Sequence, residues 1–331
     1  MVISHLSISN TMHGFLNIDK PAGMTSHDVV ARVRRLARQK RVGHAGTLDP
    51  AATGVLVVAL GIATRLIEYV QDATTKRYHA VVRLGVTTTT DDAEGEVLDT
   101  APIPPLDLAA LEAALARFRG PIMQTPPMYA ALHHEGRRLH ELARAGVMVE
   151  RAARRVTIER LELLDWSPPA LTLDILCGKG TYIRALARDL GAALGCGAHL
   201  QALRRTAVGA FVIEDAVPLD ALVPAQEIGG HGDTETRRPG DRETDHSVRL
   251  SRVSPVTVSE ALISPERAVD DWPAISVSAE GARQLRNGQT IACAGVEGER
   301  GRAHGPDGRL LALLARVDDR WKPEKVFDWT T

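Results

Sequence analysis

The sequence is poor in aromatic residues and in cysteine. Aromatic residues make up 4% of the 331 positions, so a buried core has to be built from aliphatic side chains. The three cysteines (Cys177, Cys196 and Cys293) have neither the spacing of a disulfide framework nor that of a zinc site. Unpaired cysteines are typical of a reducing compartment, and we therefore expect a cytoplasmic protein.

Long apolar runs and cofactor motifs are also missing. No apolar stretch reaches the roughly 18 residues that a membrane-spanning helix requires, and residues 1–12 lack the basic and apolar blocks of a signal peptide. The sequence contains no GxGxxG loop and no cluster with the spacing of metal ligands. We therefore expect no membrane association, no nucleotide cofactor and no metal.

The net charge of −1 does not by itself indicate a nucleic-acid-binding protein. The distribution of charge is more informative, because basic residues concentrate in three segments, at 32–41, 137–160 and 179–205. Each segment alone is more often a solvated helix face. Together, in a neutral chain, they predict a one-sided basic surface for a polyanion.

The apolar pattern predicts an α+β protein. Short strands are predicted in five places, with a bulge near Arg160 in the fourth of them: 15–18, 55–60, 78–84, 156–164 and 171–175. Ser26 is predicted to cap one helix, and Asp107 to cap another whose inward face includes Leu108. Since strands and helices mix without a regular βαβ alternation, we expect a mixed, largely antiparallel sheet.

The length of the chain predicts about two domains. We expect a larger domain at 13–272 and a small β-rich module at 273–331. Within the larger domain, residues 229–245 include no aliphatic side chain. Such a segment cannot bury enough apolar surface to offset its ordering entropy, so residues 226–252 are predicted to form a disordered insert.

The most informative stretch runs from Gly43 to Leu56. It places Asp49 in a loop tight with glycine and proline, and the fully apolar run 54–60 follows at once. A carboxylate beside a buried strand is costly unless it has a partner or a catalytic task. The alternative from these residues alone is an ordinary Asp-Pro turn with a solvated carboxylate.

The string 43–56 closely resembles the catalytic-aspartate motif of the bacterial TruB-type tRNA pseudouridine-55 synthases. Further segments resemble the same family in the expected order: 13–26, 76–78, 88–95, 177–184 and 195–206. The resemblance covers about residues 13–223 and resumes weakly from 256. The sequence departs from the family at the polar insert and at Thr89, where the family usually has aspartate.

This resemblance implies a pseudouridine-synthase core at 13–272 and a PUA-like RNA-binding module at 273–331. It implies isomerisation of uridine to pseudouridine at position 55 in the T loop of tRNA, on a base flipped out of its stack. The reaction exchanges a C–N for a C–C glycosidic bond and transfers neither electrons nor phosphate, so no cofactor is expected. The expected partner is tRNA, held at its T arm and acceptor stem by a monomer without a guide RNA.

The resemblance also assigns roles to the residues that match the family motifs. Asp49 is the catalytic carboxylate, either a nucleophile toward sugar or base or a stabiliser of positive charge on the ribose. A carboxylate in a dry pocket needs a fixed cation to stay ionised, and Arg184 is that cation, held from its other side by Asp92. Tyr78 stacks on the flipped uracil, and its phenol is able to move a proton.

Four further residues are implied to bind the substrate. His44 fills the gap left in the RNA, Leu203 packs beneath the base, and Lys20 and Tyr182 shape the pocket. Read without the resemblance, the same residues fit a satisfied loop histidine, a core leucine, a solvated turn lysine and a packed aromatic at a helix start. The residue types alone leave both interpretations open.

Two other classes of protein fit part of the pattern. An RNA-binding protein could use the same fold without turnover, but the intact set of Asp49, Tyr78 and Arg184 argues against it. A glycosidase-like hydrolase would need a second catalytic carboxylate in a matched motif, which the sequence does not offer. Guide-RNA-dependent relatives share the aspartate motif, and the Lys-Pro, tyrosine and arginine segments favour the stand-alone bacterial branch.

Overall fold

The computed structural model describes residues 11–72, 75–129, 133–134, 137–138, 149–224, 254–292 and 295–329. The predicted disordered insert at 226–252 and Cys293 lie outside the described residues. Within those ranges, no helix is both long and apolar enough to cross a bilayer.

The described elements alternate between strands and short helices. The α-helices are α1 (Ser26–Leu36), α2 (Ile67–Asp72), α3 (Leu108–Ala116), α4 (Ile183–Ala193) and α5 (Ala279–Arg286). The first strands are β1 (Gly14–Lys20), β2 (Val42–His44), β3 (Thr53–Leu60), β4 (Lys76–Leu84), β5 (Val86–Thr88), β6 (Val97–Thr100), β7 (Gly120–Gln124), β8 (His133–His134) and β9 (Arg137–Arg138). The next are β10 (Arg154–Ser167), β11 (Ala170–Cys177), β12 (Ala198–Val208), β13 (Phe211–Val212), β14 (Val217–Pro218) and β15 (Leu222–Val223). The last are β16 (Val256–Thr257), β17 (Ala274–Ser276), β18 (Ile291–Ala292), β19 (Arg300–His304), β20 (Leu310–Val317) and β21 (Arg320–Val326).

The main sheet has ten strands, in the order β14-β1-β3-β12-β4-β11-β10-β7, with β2 on β3 and β13 on β12. Only the β1–β14 and β3–β12 pairs within it are parallel, so the predicted mixed, largely antiparallel sheet is confirmed. Strand β3 is buried almost throughout because both of its faces are covered. The bulge predicted near Arg160 is present, as a register shift between Ile158 and Arg160.

Helices α3 and α4 pack on the face of the sheet to which Tyr78, Ala80, Val82 and Leu84 point. Alternate residues of a strand share one face, and the predicted alternation of β4 is therefore confirmed. The inward position predicted for Leu108 is wrong, because its side chain is 65% exposed. The buried stripe of α3 begins one turn later, at Leu111.

The capping prediction for α1 is wrong by one residue. Thr25 is the N-cap: its backbone is extended, its side chain accepts from the Asp28 amide, and the Asp28 carboxylate accepts from the Thr25 amide in return. Ser26 therefore begins the helix and is buried. Its hydroxyl accepts from the Leu48 amide at 2.9 Å and donates to the Leu48 carbonyl at 3.2 Å, which ties α1 to the Asp49 loop.

The C-terminal module is a five-stranded sheet in the order β17-β19-β20-β21-β18, with α5 packed on it. Leu285, Leu314 and Trp321 belong to a core of its own. Leu310 and Phe327, in contrast, belong to a cluster that also contains residues of β1 and β3. The module thus shares an apolar interface with the larger domain.

Candidate active site

The candidate site is built around the loop between β2 and β3, which carries Asp49. The loop is closed by backbone bonds from Ala45 to the Val57 carbonyl at 2.8 Å and from Ala52 to the Asp49 carbonyl at 3.1 Å. Gly54 follows it with a φ of +99°, and a Cβ there would lie 2.2 Å from the Arg205 carbonyl oxygen. A glycine is therefore required where the loop enters β3.

Lys20 supports this loop from behind. Its side chain is 0% exposed, and Nζ donates to the carbonyls of Pro21 at 2.9 Å, Met24 at 2.7 Å and Pro50 at 3.1 Å. The three donors of Lys20 are used within the fold, which fits a residue that shapes the pocket, and its contact with the substrate stays a prediction. Burial lowers the pKa of the Lys20 ammonium, and the nearby Asp49 carboxylate opposes that shift.

Arg184 lies in the first turn of α4 and is 7% exposed. Its Nε lies 3.1 Å from Asp49 Oδ2, and Nη2 donates to Asp49 Oδ1 at 3.4 Å. On the other side, Nη1 donates to Asp92 Oδ2 at 3.3 Å. The carbonyls of Thr90 at 3.3 Å and Tyr129 at 2.8 Å accept the remaining bonds. The structure thus brings the three charged residues together in the predicted order.

Asp92 is oriented by its own loop. Its Oδ1 accepts from the Thr90 hydroxyl and from the Glu94 amide, which leaves Oδ2 for Arg184. Thr89, the departure from the family sequence, closes the same loop: its amide donates to the Glu96 carbonyl and its hydroxyl accepts from the Glu96 amide. Thr89 therefore supports the loop without bonding to Arg184 in this arrangement.

The Asp49 carboxylate is held inside the site but open to the cleft. Its side chain is 42% exposed, against 8% for Arg184. Burial raises the pKa of the Asp49 carboxyl and Asp92 adds to that rise, while Arg184 and Lys20 lower it. Arg184 therefore favours the ionised form that a nucleophile or charge stabiliser needs.

A cleft of about 270 Å³ opens above Asp49 and Arg184. Tyr78, Tyr129, Tyr182 and Leu203 contribute to its walls. Three of the four tyrosines of this aromatic-poor chain thus lie around one cleft. An apolar and aromatic wall with one carboxylate at its base is suited to a planar, weakly polar ring.

Arg205 also lines this cleft, and the sequence patterns did not single it out as a site residue. Its side chain is 1% exposed. Nε donates to the Val55 carbonyl at 2.8 Å, Nη1 to the Thr47 carbonyl at 3.2 Å and Nη2 to the Gly46 carbonyl at 3.0 Å. The signal in the sequence is strand alternation, since Arg205 is two residues after Leu203 and so shares its face.

The basic segment 179–205 is largely buried or paired with carboxylates in the structure. Arg188 pairs with Asp91 and Asp189, and Arg204 pairs with Asp19 at 2.8 Å. Arg184 and Arg205 are buried. Burial and pairing with carboxylates therefore remove much of the exposed charge of this segment, and the one-sided basic surface of the three segments together stays a prediction.

His44 ends β2, beside the Asp49 loop. Its ring meets the His27 ring edge-on at a centroid distance of 5.4 Å. Burial, followed by the charges of His27 and Arg205, lowers the pKa of His44 to about 4. His44 is therefore neutral at pH 7 and presents an uncharged ring, and its insertion into the RNA stays a prediction.

No three His, Cys, Asp or Glu side chains among the described residues come together as metal ligands would. Cys177 is buried, and its burial raises the pKa of the thiol to about 11, so it is inert as a nucleophile. The chemistry available at the site is that of one carboxylate beside a fixed guanidinium and a phenol.

Comparisons with known proteins agree with this geometry. The N-terminal domain of the TruB family pseudouridylate synthases matches residues 34–183, the C-terminal domain of tRNA pseudouridylate synthase B matches 184–253, and the C-terminal domain of tRNA pseudouridine synthase II matches 272–328. A protein of Burkholderia mallei named tRNA pseudouridine synthase B is 42% identical over 95% of this chain and 97% of its own length. One of that name from Gloeobacter violaceus is 52% identical over 66% of this chain and 75% of its own.

Solved structures support the fold at lower identity. A Cbf5-Nop10-Gar1 complex has a chain with a TM-score of 0.67 and 24% identity, covering 95% of this chain and 85% of that one. An H/ACA ribonucleoprotein bound to a substrate RNA with 2′-deoxyuridine has one with a TM-score of 0.65 and 23% identity, with the same coverage. At such identities the likeness is one of fold, and the architecture agrees with the predicted pseudouridine-synthase core.

Proposed function

Because this chain belongs to the TruB family of pseudouridylate synthases, we propose that it isomerises uridine 55 in the T loop of tRNA with Asp49 as its catalytic carboxylate. Its activity is that of a tRNA pseudouridine synthase, as in its relatives at 42–52% identity. The observation that carries the finer proposal is the Asp49 carboxylate, held by Arg184 at 3.1 Å and open to a cleft walled by tyrosines and Leu203.

The reaction balances without a co-reactant. The N1–C1′ bond of uridine breaks, the uracil rotates, and C5 bonds to C1′. The proton that leaves C5 is matched by the proton that N1 gains. The ionised Asp49 supplies the charge at the moment of bond breaking, acting either on C1′ of the ribose or on the base. Both routes use the same exposed carboxylate.

The target uridine has to leave its stack before Asp49 can reach it, which costs a few kcal/mol. In the proposed complex the base enters the cleft, where the Tyr78 ring and Leu203 hold its faces and Tyr182 closes the wall. A tyrosine stacked on a base typically recovers about 1–3 kcal/mol. His44 takes the space that the base vacates in the RNA.

The hydrogen bonds of Asp92 argue against a hydrolase that uses two catalytic carboxylates. Such an enzyme needs a second carboxyl free to act as acid or base on the far side of the sugar. The Asp92 side chain instead holds Arg184 through Oδ2 and is bonded to Thr90 and the Glu94 amide through Oδ1. With both oxygens engaged, it is a support for Arg184.

The proposal includes action as a monomer in the cytoplasm without a guide RNA. The relatives at 42–52% identity are named tRNA pseudouridine synthase B. The matching chains of the Cbf5 and H/ACA complexes have only 23–24% sequence identity to this chain. The C-terminal module packs against the larger domain, and in this proposal it binds the acceptor stem of a tRNA held at its T arm.

The proposal is tested by incubating the purified full chain with unmodified tRNA and no other RNA. We expect one pseudouridine per tRNA, located at position 55 by nucleoside analysis of mapped fragments. A tRNA with cytidine at position 55 is the matched control and should yield none. Pseudouridine at another position would overturn the assignment of position 55, and activity only with an added guide RNA would overturn the stand-alone mode.

A further inference from the structure

Arg205 is a buried cation for which the described residues supply no carboxylate partner. Its three hydrogen bonds go to the backbone carbonyls of Gly46, Thr47 and Val55. Burial lowers the pKa of this guanidinium, which shows that the fold disfavours its charge. An uncompensated buried charge costs several kcal/mol, so a purely structural role would be served at lower cost by an apolar residue.

The three carbonyls define what Arg205 holds. Gly46 and Thr47 lie in the loop that carries Asp49, and Val55 lies in β3, the strand that follows it. The guanidinium is planar and rigid, so three bonds fix the loop relative to β12 in both distance and direction. Two of its five N–H groups remain after these bonds.

Tyr78 is the residue paired with Arg205 across the sheet. Arg205 and Tyr78 are register partners across β12 and β4, and both line the cleft. Charge and side-chain hydrogen bonding from Arg205 both lower the pKa of the phenol, against the rise caused by burial. Arginine only donates, so in a bond between these two side chains the phenol oxygen accepts and its own hydrogen is left for another acceptor.

We propose that Arg205 is a positioning residue for the proposed isomerisation: it holds the Tyr78 hydroxyl and the Asp49 loop in one rigid unit, with the phenol hydrogen directed to the cleft. The inference rests on the proposed function, because the flipped uracil is the acceptor that the hydroxyl would meet. It links the two groups that face the base, the carboxylate from the loop and the phenol from β4. Displacements of about 1 Å between reacting groups cost on the order of 100-fold in rate.

Arg204 provides a matched control on the same strand. It precedes Arg205, faces away from the cleft, and pairs with Asp19 Oδ2 at 2.8 Å. Five proteins are compared: the wild type, Tyr78→Phe, Arg205→Lys, the double variant and Arg204→Lys. Single-turnover rates at saturating enzyme are measured with unmodified tRNA, together with the dissociation constant for tRNA and the melting temperature.

We expect Arg205→Lys and Tyr78→Phe each to lower the rate about 10- to 100-fold, which is the loss of one charge-assisted hydrogen bond. The double variant should stay within about threefold of the slower single variant, because both changes break the same link. Affinity for tRNA should be unchanged, and Arg204→Lys should behave as the wild type.

Rate losses that multiply in the double variant would overturn the link, since independent effects multiply. A wild-type rate for Tyr78→Phe would also overturn it, and this variant keeps the ring, so the test holds even where Arg205→Lys fails to fold. A wild type without pseudouridine-55 activity would instead refute the proposed function. An active wild type with multiplying losses would refute the Arg205 inference alone.

Discussion

Buried cations flank the Asp49 loop on two sides, and the two sides satisfy them differently. In front, facing the cleft, Arg184 is shared between the carboxylates of Asp49 and Asp92. Away from the Asp49 carboxylate, Lys20 and Arg205, here called the rear cations, donate to backbone carbonyls. The front is an ion-pair network, and the rear is a set of cations held by dipoles.

The two kinds of contact imply two different roles, one in the chemistry at Asp49 and one in the position of its loop. The front network favours the ionised form of Asp49, and the Asp49 carboxylate is open to the substrate cleft. Substitutions in this network should therefore act first on turnover. The rear cations are sealed from water and engage the carbonyls of residues 46, 47, 50 and 55. Changes at the rear should therefore act on turnover only through the position of the loop, and by less.

Asp49→Asn should have the largest effect, a loss of turnover of about 10⁴-fold or more, because no other group on the front is free to take its place. The dissociation constant for tRNA should stay close to that of the wild type, since phosphate contacts dominate affinity. Single-turnover rates and filter binding provide the measurements. Asp19→Asn is the matched control, because Asp19 also pairs with an arginine but outside the cleft, and it should remain active.

The same variant tests the stability side of the comparison. Burial raises the pKa of Asp49 above its ordinary 3.8, so the folded state binds this proton more tightly than the unfolded chain does. The ionised carboxylate therefore lowers stability as pH rises above 3.8. We expect Asp49→Asn to match or exceed the wild-type free energy of unfolding at pH 7, with any advantage shrinking as pH falls toward 3.8. A lower free energy of unfolding for the variant at pH 7, measured by denaturant titration, would contradict this expectation. It would mean that the buried charge of Arg184 needs the Asp49 carboxylate for its stabilisation.

Arg184→Met should lower turnover by about 100-fold and stability by about 2–3 kcal/mol. Breaking a fully buried pair costs about 3–5 kcal/mol, and the exposure of Asp49 reduces that figure because water can solvate the carboxylate left behind. The acid limb of kcat/KM should also move to higher pH, since Arg184 lowers the pKa of Asp49. A variant that keeps the wild-type pH profile would contradict the front network.

Lys20→Met should have a smaller effect, about tenfold on turnover, with a stability loss of about 1–3 kcal/mol from three carbonyls left without a donor. The affinity for tRNA should not change, because Lys20 is buried. Ser26→Ala removes an independent support of the loop, at Leu48, and is expected to lower turnover in the same direction. A lower affinity of Lys20→Met for tRNA would indicate that Lys20 contacts the substrate.

The residues of the front network and Lys20 could be recognised from the sequence, whereas Arg205 and the contacts of both rear cations could not. The residues 43–56 and 177–184 carry long motifs, so Asp49 and Arg184 are recognisable before their contacts are known. The partners of Lys20 and Arg205 are backbone carbonyls, and because every residue has a carbonyl, these contacts leave no mark in the sequence. The same limit explains the error at Ser26, whose partner, Leu48, lies 22 residues away.

The module boundary near 272 illustrates a related limit. Apolar periodicity located the sheet that begins at Ala274, because a strand pattern is local. It could not show that Leu310 and Phe327 of that module pack with Phe15 and Val55 of the larger domain. Deleting the module would expose this interface, so truncation would confuse RNA binding with folding.

Point substitutions of exposed cations therefore give the cleaner test, and they extend the comparison from buried to exposed cations. Arg300 and Lys322 are exposed and line a groove of about 860 Å³ between the module and the larger domain, next to Tyr69. If they contact tRNA phosphates, Arg300→Ala and Lys322→Ala should each weaken binding of whole tRNA several-fold and reduce the salt slope by about one. Rates at saturating enzyme, and all properties on an isolated T-arm stem-loop, should stay unchanged. Arg283→Ala, an exposed change on α5 outside the groove, is the control. Equal losses of affinity for the stem-loop and for whole tRNA would show that these cations act on the active site. In that case the buried cations of the catalytic site and the exposed cations of the groove would not have separate roles in turnover and in affinity.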